Sequence, residues 1–219
     1  MTTLLLRLAG PTQGWDVRQR PYAPGSMRSG VHGPGVGLPT FSGVAGLLAS
    51  AMGRERDADF SDLLGLTMLL RVDQPGRVRS EFRTTRRGTG KGLVTWPLIE
   101  QVLDDAAFLV GVEGDPVLIA AAEAGLRAPR WPLYLGRREY PPTEPILLGV
   151  TDAPVAEAVR DHPWLAAAWY RREHAPDLRV RELVHVDQRG WSPRDGRRPA
   201  PSPRPFDESP DWFEVVSRP

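Results

Sequence analysis

Few residues of this 219-residue chain have chemistry to offer: four histidines, a concentration of arginine and two glycine-rich stretches. His32, His162, His174 and His185 lack ligand spacing such as H-x-x-x-H, and the chain has no cysteine, so no metal site is expected. His32 lies in the glycine-rich segment that also carries Tyr22 and Arg28. A histidine and a tyrosine on a loop beside bound RNA would suit acid–base attack by a 2′-hydroxyl; the plainer reading of His32 is an exposed loop residue. "GTGKGL" (Gly88 to Leu93) departs from the P-loop pattern, because Thr85 stands at the leading glycine position and Gly92 replaces the magnesium-binding Ser or Thr. "GVHGPGVGLP" lacks the third glycine of a dinucleotide fingerprint, and Asp104-Asp105 reads as a surface turn. No cofactor is expected.

Binding chemistry is better represented. Lys91 is the only lysine, so the cations are otherwise arginine, whose planar fork suits phosphates and base edges. Between Arg71 and Lys91, seven bases (Arg71, Arg77, Arg79, Arg83, Arg86, Arg87, Lys91) face only Asp73 and Glu81. That local excess, in a chain of net charge +1, is the kind of patch that attracts a polyanion. A solvated strand edge protected by arginine would look the same.

The elements that must position these residues follow from periodicity. "TTLLLRLAG" alternates Leu4, Leu6 and Leu8 against Leu5, Arg7 and Ala9, a buried strand that Gly10-Pro11 is expected to end. Gln13 and Trp15 follow at once, either as core or as residues projecting from the sheet's end. The segment from Tyr22 to Leu38 reads as an irregular loop. At "PTFSGVAGLLASAMG" apolar residues return at helical spacing, with Thr40 as N-cap and Gly53 as stop; Gly43 and Gly46 suggest a close neighbour on that side. The Thr40 helix start, with free N–H groups, is a ready phosphate site.

"LTMLLRVDQPGRVRSEFRTT" reads as a hairpin turning at Gln-Pro-Gly, and "DAAFLVGVEG" as another strand. Asp115-Pro116 opens the helix "PVLIAAAEAGL", and "WPLYLG" and "PILLG" read as short strands. The succession strand–helix–strand–strand, then strand–helix–strand, predicts an α+β chain on the ferredoxin-like plan. Beyond Thr151 one or two helices and a strand are expected, then a proline-rich segment over 193–205. No stretch approaches the roughly 20 apolar residues of a membrane span, the N-terminus lacks a signal peptide, and the absence of cysteine fits a reducing cytoplasm.

"LRLAGPTQGW", "LPTFSGVAGLLASAMG", "VLDDAAFLVGV" and "LRAPRWPLYLGRREYP", in this order and spacing, resemble the CasD family. These are CRISPR-associated RAMP-superfamily subunits of the type I-E Cascade surveillance complex. The resemblance runs from about Leu4 to Gly149. It implies a modified ferredoxin-like (RRM-like, RAMP) domain over 1–150 with a β-hairpin thumb within about 84–96, and a smaller C-terminal region over 151–219. It further implies a non-catalytic, RNA-binding ribonucleoprotein subunit that binds the five-prime handle of crRNA and caps that end of the assembly. The backbone subunit (CasC) and the large subunit (CasA) are its implied partners, with target DNA met only indirectly. In a related subtype the corresponding protein is an endoribonuclease, which keeps a metal-independent nuclease using His32 or Tyr22 as the alternative. The implied RNA-contacting residues are Gln13, Trp15, Tyr22, Arg28, Thr40, Ser42, Gly43, Arg86, Arg87, Lys91, Arg137 and Arg138. Phe41 stands where the family commonly has a basic residue, which leaves backbone amides and Ser42 to meet phosphate there.

Overall fold

A computed structural model describes residues 1–15, 38–55, 58–87 and 94–183. The leucine alternation near the N-terminus forms the strand β1 (Thr2–Gln13), with Leu4, Leu6 and Leu8 fully buried. Helix α1 (Phe41–Ala51) starts where the cap predicts: the Thr40 hydroxyl accepts from the Gly43 N–H at 3.1 Å. A short α2 (Ser61–Leu64) leads to β2 (Thr67–Gln74), β3 (Arg77–Arg87) and the long β4 (Val94–Gly114). Asp115 caps α3 (Pro116–Arg127), accepting from Val117 N–H at 2.9 Å. The order closes with β5 (Leu147–Thr151), α4 (Val155–Asp161), α5 (Ala168–Glu173) and β6 (Arg179–Glu182).

The result is a mixed α/β fold on one antiparallel sheet, ordered β5-β1-β4-β2-β6, with β3 paired to β4 off this path. Leu4, Leu6, Leu8, Phe108 and Val110 turn to one face and meet α1 and α3 residues such as Val44, Leu48 and Ile119. The opposite residues Leu5, Leu69 and Leu109 are covered by Val155 and Val159 of α4. A period of two on β1, read against two helical layers, accounts for both faces being apolar.

Four expectations about the sheet are corrected. Gln-Pro-Gly does not reverse the chain: β2 and β3 both run antiparallel to β4, along successive stretches of the same edge, β2 opposite 107–113 and β3 opposite 94–104. The hairpin is instead β3 with the first half of β4; of the expected 84–96 segment, 84–87 and 94–96 pair at its far end, and 88–93 lie outside the described residues. Gly10-Pro11 does not end β1, which continues to pair through Gln13↔Leu103. Pro11 has no N–H to donate, and the residue opposite it, Asp105, takes a left-handed φ of 56°, so the ladder passes the proline as an irregularity. Asp104-Asp105 therefore lies inside β4 rather than in a turn, and the Gln74 amide donates to the Asp105 carbonyl at 2.6 Å. Finally, "WPLYLG" is not a strand; only "PILLG" becomes one, as β5.

The region past Thr151 is fastened to the sheet by polar bonds. Arg71 on β2 is fully buried, paired to both Asp73 oxygens at 2.7 and 2.8 Å. Its guanidinium also donates to the carbonyls of Val159, His162 and Pro163 at 2.6, 2.7 and 2.9 Å. Asp73 accepts from the Leu165 N–H at 2.6 Å, and Trp164 donates its indole N–H to the Asp73 carbonyl at 2.7 Å. β6 then pairs with β2, Leu69↔Glu182 to Val72↔Arg179. No helix among the described residues is long and apolar enough to cross a membrane.

Candidate nucleic-acid interface

The site is built from the end of β1, the start of α1 and the turn at 135–140. The Gln13 amide donates to the carbonyls of Ala106 (2.8 Å) and Leu8 (3.3 Å), and its oxygen accepts the Trp15 indole N–H at 2.6 Å. Both side chains are buried, at 0% and 1% exposure, the core placement that the sequence left open beside projection from the sheet's end. A glutamine here bridges a carbonyl of β1 and one of β4 and at the same time anchors the indole. Trp15 then explains Gly43: a Cβ there would come within 3.1 Å of the indole ring. The close neighbour expected on α1 is a side chain at Gly43, whereas the space beside Gly46 is open.

The "YLGRR" segment is held against β1 by main-chain bonds, Gly14 N–H to the Leu135 carbonyl at 2.9 Å and Leu135 N–H to the Tyr140 carbonyl at 2.7 Å. Gly136 has φ of +84°, and any Cβ on it would collide with the Gly14 carbonyl, so the turn requires glycine. The stem of Arg137 lies over Gly14, half-buried, while Arg138 is exposed. Between this turn and α1 runs a cleft of about 170 Å³, lined by Ser42, Gly43, Gly46, Leu47, Ser50, Leu133, Tyr134 and Gly136. Ser42 and Gly43 are thus brought together with Gly136, while Thr40 caps the same helix and Arg137 and Arg138 follow Gly136 in the chain. Phe41 is buried at 4% and contributes to the core rather than to the cleft.

The basic stretch between Arg71 and Lys91 is rearranged by partners that local sequence does not show. Arg71 is spent on the buried network described above. Arg79 pairs with Asp104 at 2.5 Å, and Asp104 also accepts from Thr12 at 2.9 Å. Arg83 pairs with Glu81 at 2.7 Å and with Glu139, and the Tyr140 hydroxyl accepts from Arg83 (2.7 Å) and donates to Glu81 (2.9 Å). The charge excess on this strand is therefore smaller in the fold than in the sequence, because Asp104 and Glu139 arrive from distant elements. Arg86 and Arg87 lie on β3 near its end, while Tyr22, Arg28, His32 and Lys91 fall outside the described residues. Among the described residues no cluster of three His, Asp or Glu side chains is arranged to hold a metal.

These pairings set a pH response. Hydrogen bonds from Arg83 and then Tyr140 hold the Glu81 carboxyl below its usual range, and the Arg79 bond, with help from Thr12, does the same for Asp104. A carboxyl depressed in the folded state adds stability above its unfolded value, near 4, and loses it as pH falls through the folded value. Unfolding midpoints followed from about pH 6 to pH 2 should decline below about pH 4, and the Glu81→Gln, Asp104→Asn double variant should show a shallower decline. Both carboxyls are partly exposed, so added salt should also flatten the curve.

An antiparallel sheet with helices on both faces, extended at one end by the β3–β4 hairpin, defines an α/β protein built on a sheet-and-hairpin scaffold. The family model described as CRISPR-associated protein (Cas_Cas5) matches residues 3–210, and the chain belongs to this CRISPR-associated family. It is 33% identical over 170 residues to the CRISPR system Cascade subunit CasD of Escherichia coli (strain K12), covering 68% of this chain and 71% of that protein. Among solved structures, one titled as the crystal structure of a Cas protein aligns with a TM-score of 0.56 and 35% identity, over 83% of this chain and 95% of that one. A chain of a CRISPR RNA-guided surveillance complex aligns with a TM-score of 0.58 and 30% identity, over 74% of this chain and 69% of that one.

Proposed function

We propose that this chain is a non-catalytic subunit of a Cascade-type complex that binds the five-prime handle of crRNA and caps that end of the assembly. The single observation that carries this reading is the cleft in which Ser42 and Gly43 of the helix start meet Gly136, the residue that leads into Arg137 and Arg138. The Ser42 hydroxyl at the helix start and the arginine forks suit backbone phosphates, and the hairpin provides an extended surface along which a single strand would lie. The order β5-β1-β4-β2 is the strand order of the ferredoxin-like plan with β3 and β6 added, which supports a RAMP-type domain. Of the residues implied by resemblance, Thr40, Ser42, Gly43, Arg137 and Arg138 are the contacts on the described surface, and Arg86, Arg87, Lys91, Tyr22 and Arg28 extend the set. Gln13 and Trp15 hold the helix start in place. CasC-type and CasA-type subunits would flank it, and target DNA would be met through the guide.

The test is equilibrium binding of a repeat-derived handle RNA to the purified chain in EDTA at several salt concentrations. Expected are intact RNA and an affinity whose logarithm falls linearly with the logarithm of salt, about 0.7 per phosphate contacted. Absence of salt-dependent binding would overturn the reading. Metal-independent cleavage that disappears in His32→Ala would replace it with a nuclease.

A further inference from the structure

We propose that Tyr140 is a positioning residue that locks the hairpin to the arginine turn, so that the two candidate RNA-bearing parts move as one. This rests on the handle-binding reading for its functional half and on geometry alone for its structural half. Beyond Gln13↔Leu103 the strand β1 has ended, and among the described residues 94–102 of β4 pair with β3 alone. A two-stranded ribbon leaving a sheet in this way has little to fix its angle. What fixes it here lies at its base. Glu81 and Arg83 on β3 point to the side on which Tyr140 stands, and the Tyr140 hydroxyl donates to Glu81 at 2.9 Å while accepting from Arg83 at 2.7 Å. Arg83 reaches on to Glu139, the residue between Arg138 and Tyr140, and its guanidinium lies 5.9 Å from the centre of the Tyr140 ring.

The other end of the lock is equally well tied. Tyr140 is 8% exposed, its N–H donates to the Arg137 carbonyl at 3.0 Å, and its carbonyl accepts the Leu135 N–H at 2.7 Å. Arg137 also acts on the phenol from the turn side. One side chain is therefore bonded to two ionised groups of the hairpin while its backbone closes the turn that presents Arg137 and Arg138. Hydrogen bonds to charged partners are about twice as strong as neutral ones, and a phenol used as donor and acceptor together cannot swivel without breaking both.

The chain has no cysteine, so single cysteines at exposed Thr84 on β3 and exposed Val117 on α3 can carry spin labels without further changes. The wild-type pair should give one narrow distance distribution. Tyr140→Phe, which keeps the ring and loses only the hydroxyl, should broaden it clearly with little change in thermal midpoint. Glu81→Gln, which retains an acceptor, should broaden it less. In parallel, Tyr140→Phe should weaken handle RNA by about 2- to 10-fold, the scale of one hydrogen bond's net worth. A distribution as narrow in Tyr140→Phe as in wild type overturns the lock. A broadened distribution with unchanged affinity overturns the coupling to RNA. If the wild-type chain binds no handle RNA, the handle-binding reading fails, and the distance measurement still decides the lock.

Discussion

Replacing Arg71 by alanine is expected to cost about 3–5 kcal/mol of folding free energy, the range for breaking a buried, hydrogen-bonded charge pair from one side. The arithmetic is in the geometry. The guanidinium has no exposure and satisfies both Asp73 oxygens, so its removal leaves a buried carboxylate whose main remaining donor is the Leu165 N–H. The carbonyls of Val159, His162 and Pro163 lose their donor in the same stroke. Val159 is in the last turn of α4, where helix carbonyls have no partner of their own and a cation is favourable. Arg71→Lys should recover part of the loss, because an ammonium carries the charge but cannot span Asp73 and the chain end of α4 together. Urea unfolding measures the cost, and hydrogen exchange over 155–167 should rise more than over β1. A loss under about 1 kcal/mol would mean that water replaces the guanidinium and that the network does not fasten this region.

That network marks where reading the sequence stops. Arg71 and Asp73 are two apart on a strand, so both fall on one face; nothing local says whether that face is wet or covered. It is covered because α4, more than 80 residues on, lies across it, and the arginine counted as part of a polyanion patch is buried beneath. The same holds for Arg79 and Arg83, whose partners Asp104 and Glu139 come from other elements. Local signals fared better where the physics is local. The leucine alternation of β1, the Thr40 and Asp115 caps and the Asp115-Pro116 helix start are all present as expected. Gln-Pro-Gly misled because a turn signal states that a ladder is interrupted, not that the chain reverses; here β4 is long enough to pair both sides of the interruption. Pro11 misled in the same way. Gln13 and Trp15 are recognisable as unusual, and the structure turns that oddity inward, one side chain bridging carbonyls of β1 and β4 and the other seating a helix.

If the arginine turn is the phosphate contact, then Arg137→Glu with Arg138→Glu should cut handle affinity by about 100-fold or more at low salt, since each charge-assisted hydrogen bond is worth about 1.5–3 kcal/mol and reversal adds repulsion. The more telling quantity is the salt slope. Losing two phosphate contacts to a single strand should reduce it by about 1.4, whereas a variant that merely loosens the fold would weaken binding with the slope unchanged. Arg138 is exposed, so its reversal has no packing cost, but the Arg137 stem lies over Gly14. Arg137→Gln, which keeps most of that stem, therefore separates charge from packing and should lower the slope by about half as much. Trp15→Phe supplies the opposite case: it removes the indole N–H from Gln13 and should lower stability while leaving the slope intact. An unchanged slope in the double reversal would move the phosphates away from this turn and toward the hairpin arginines. A reduced slope in Trp15→Phe would mean that the indole, buried beneath Gly43 in the free chain, is exposed when RNA binds.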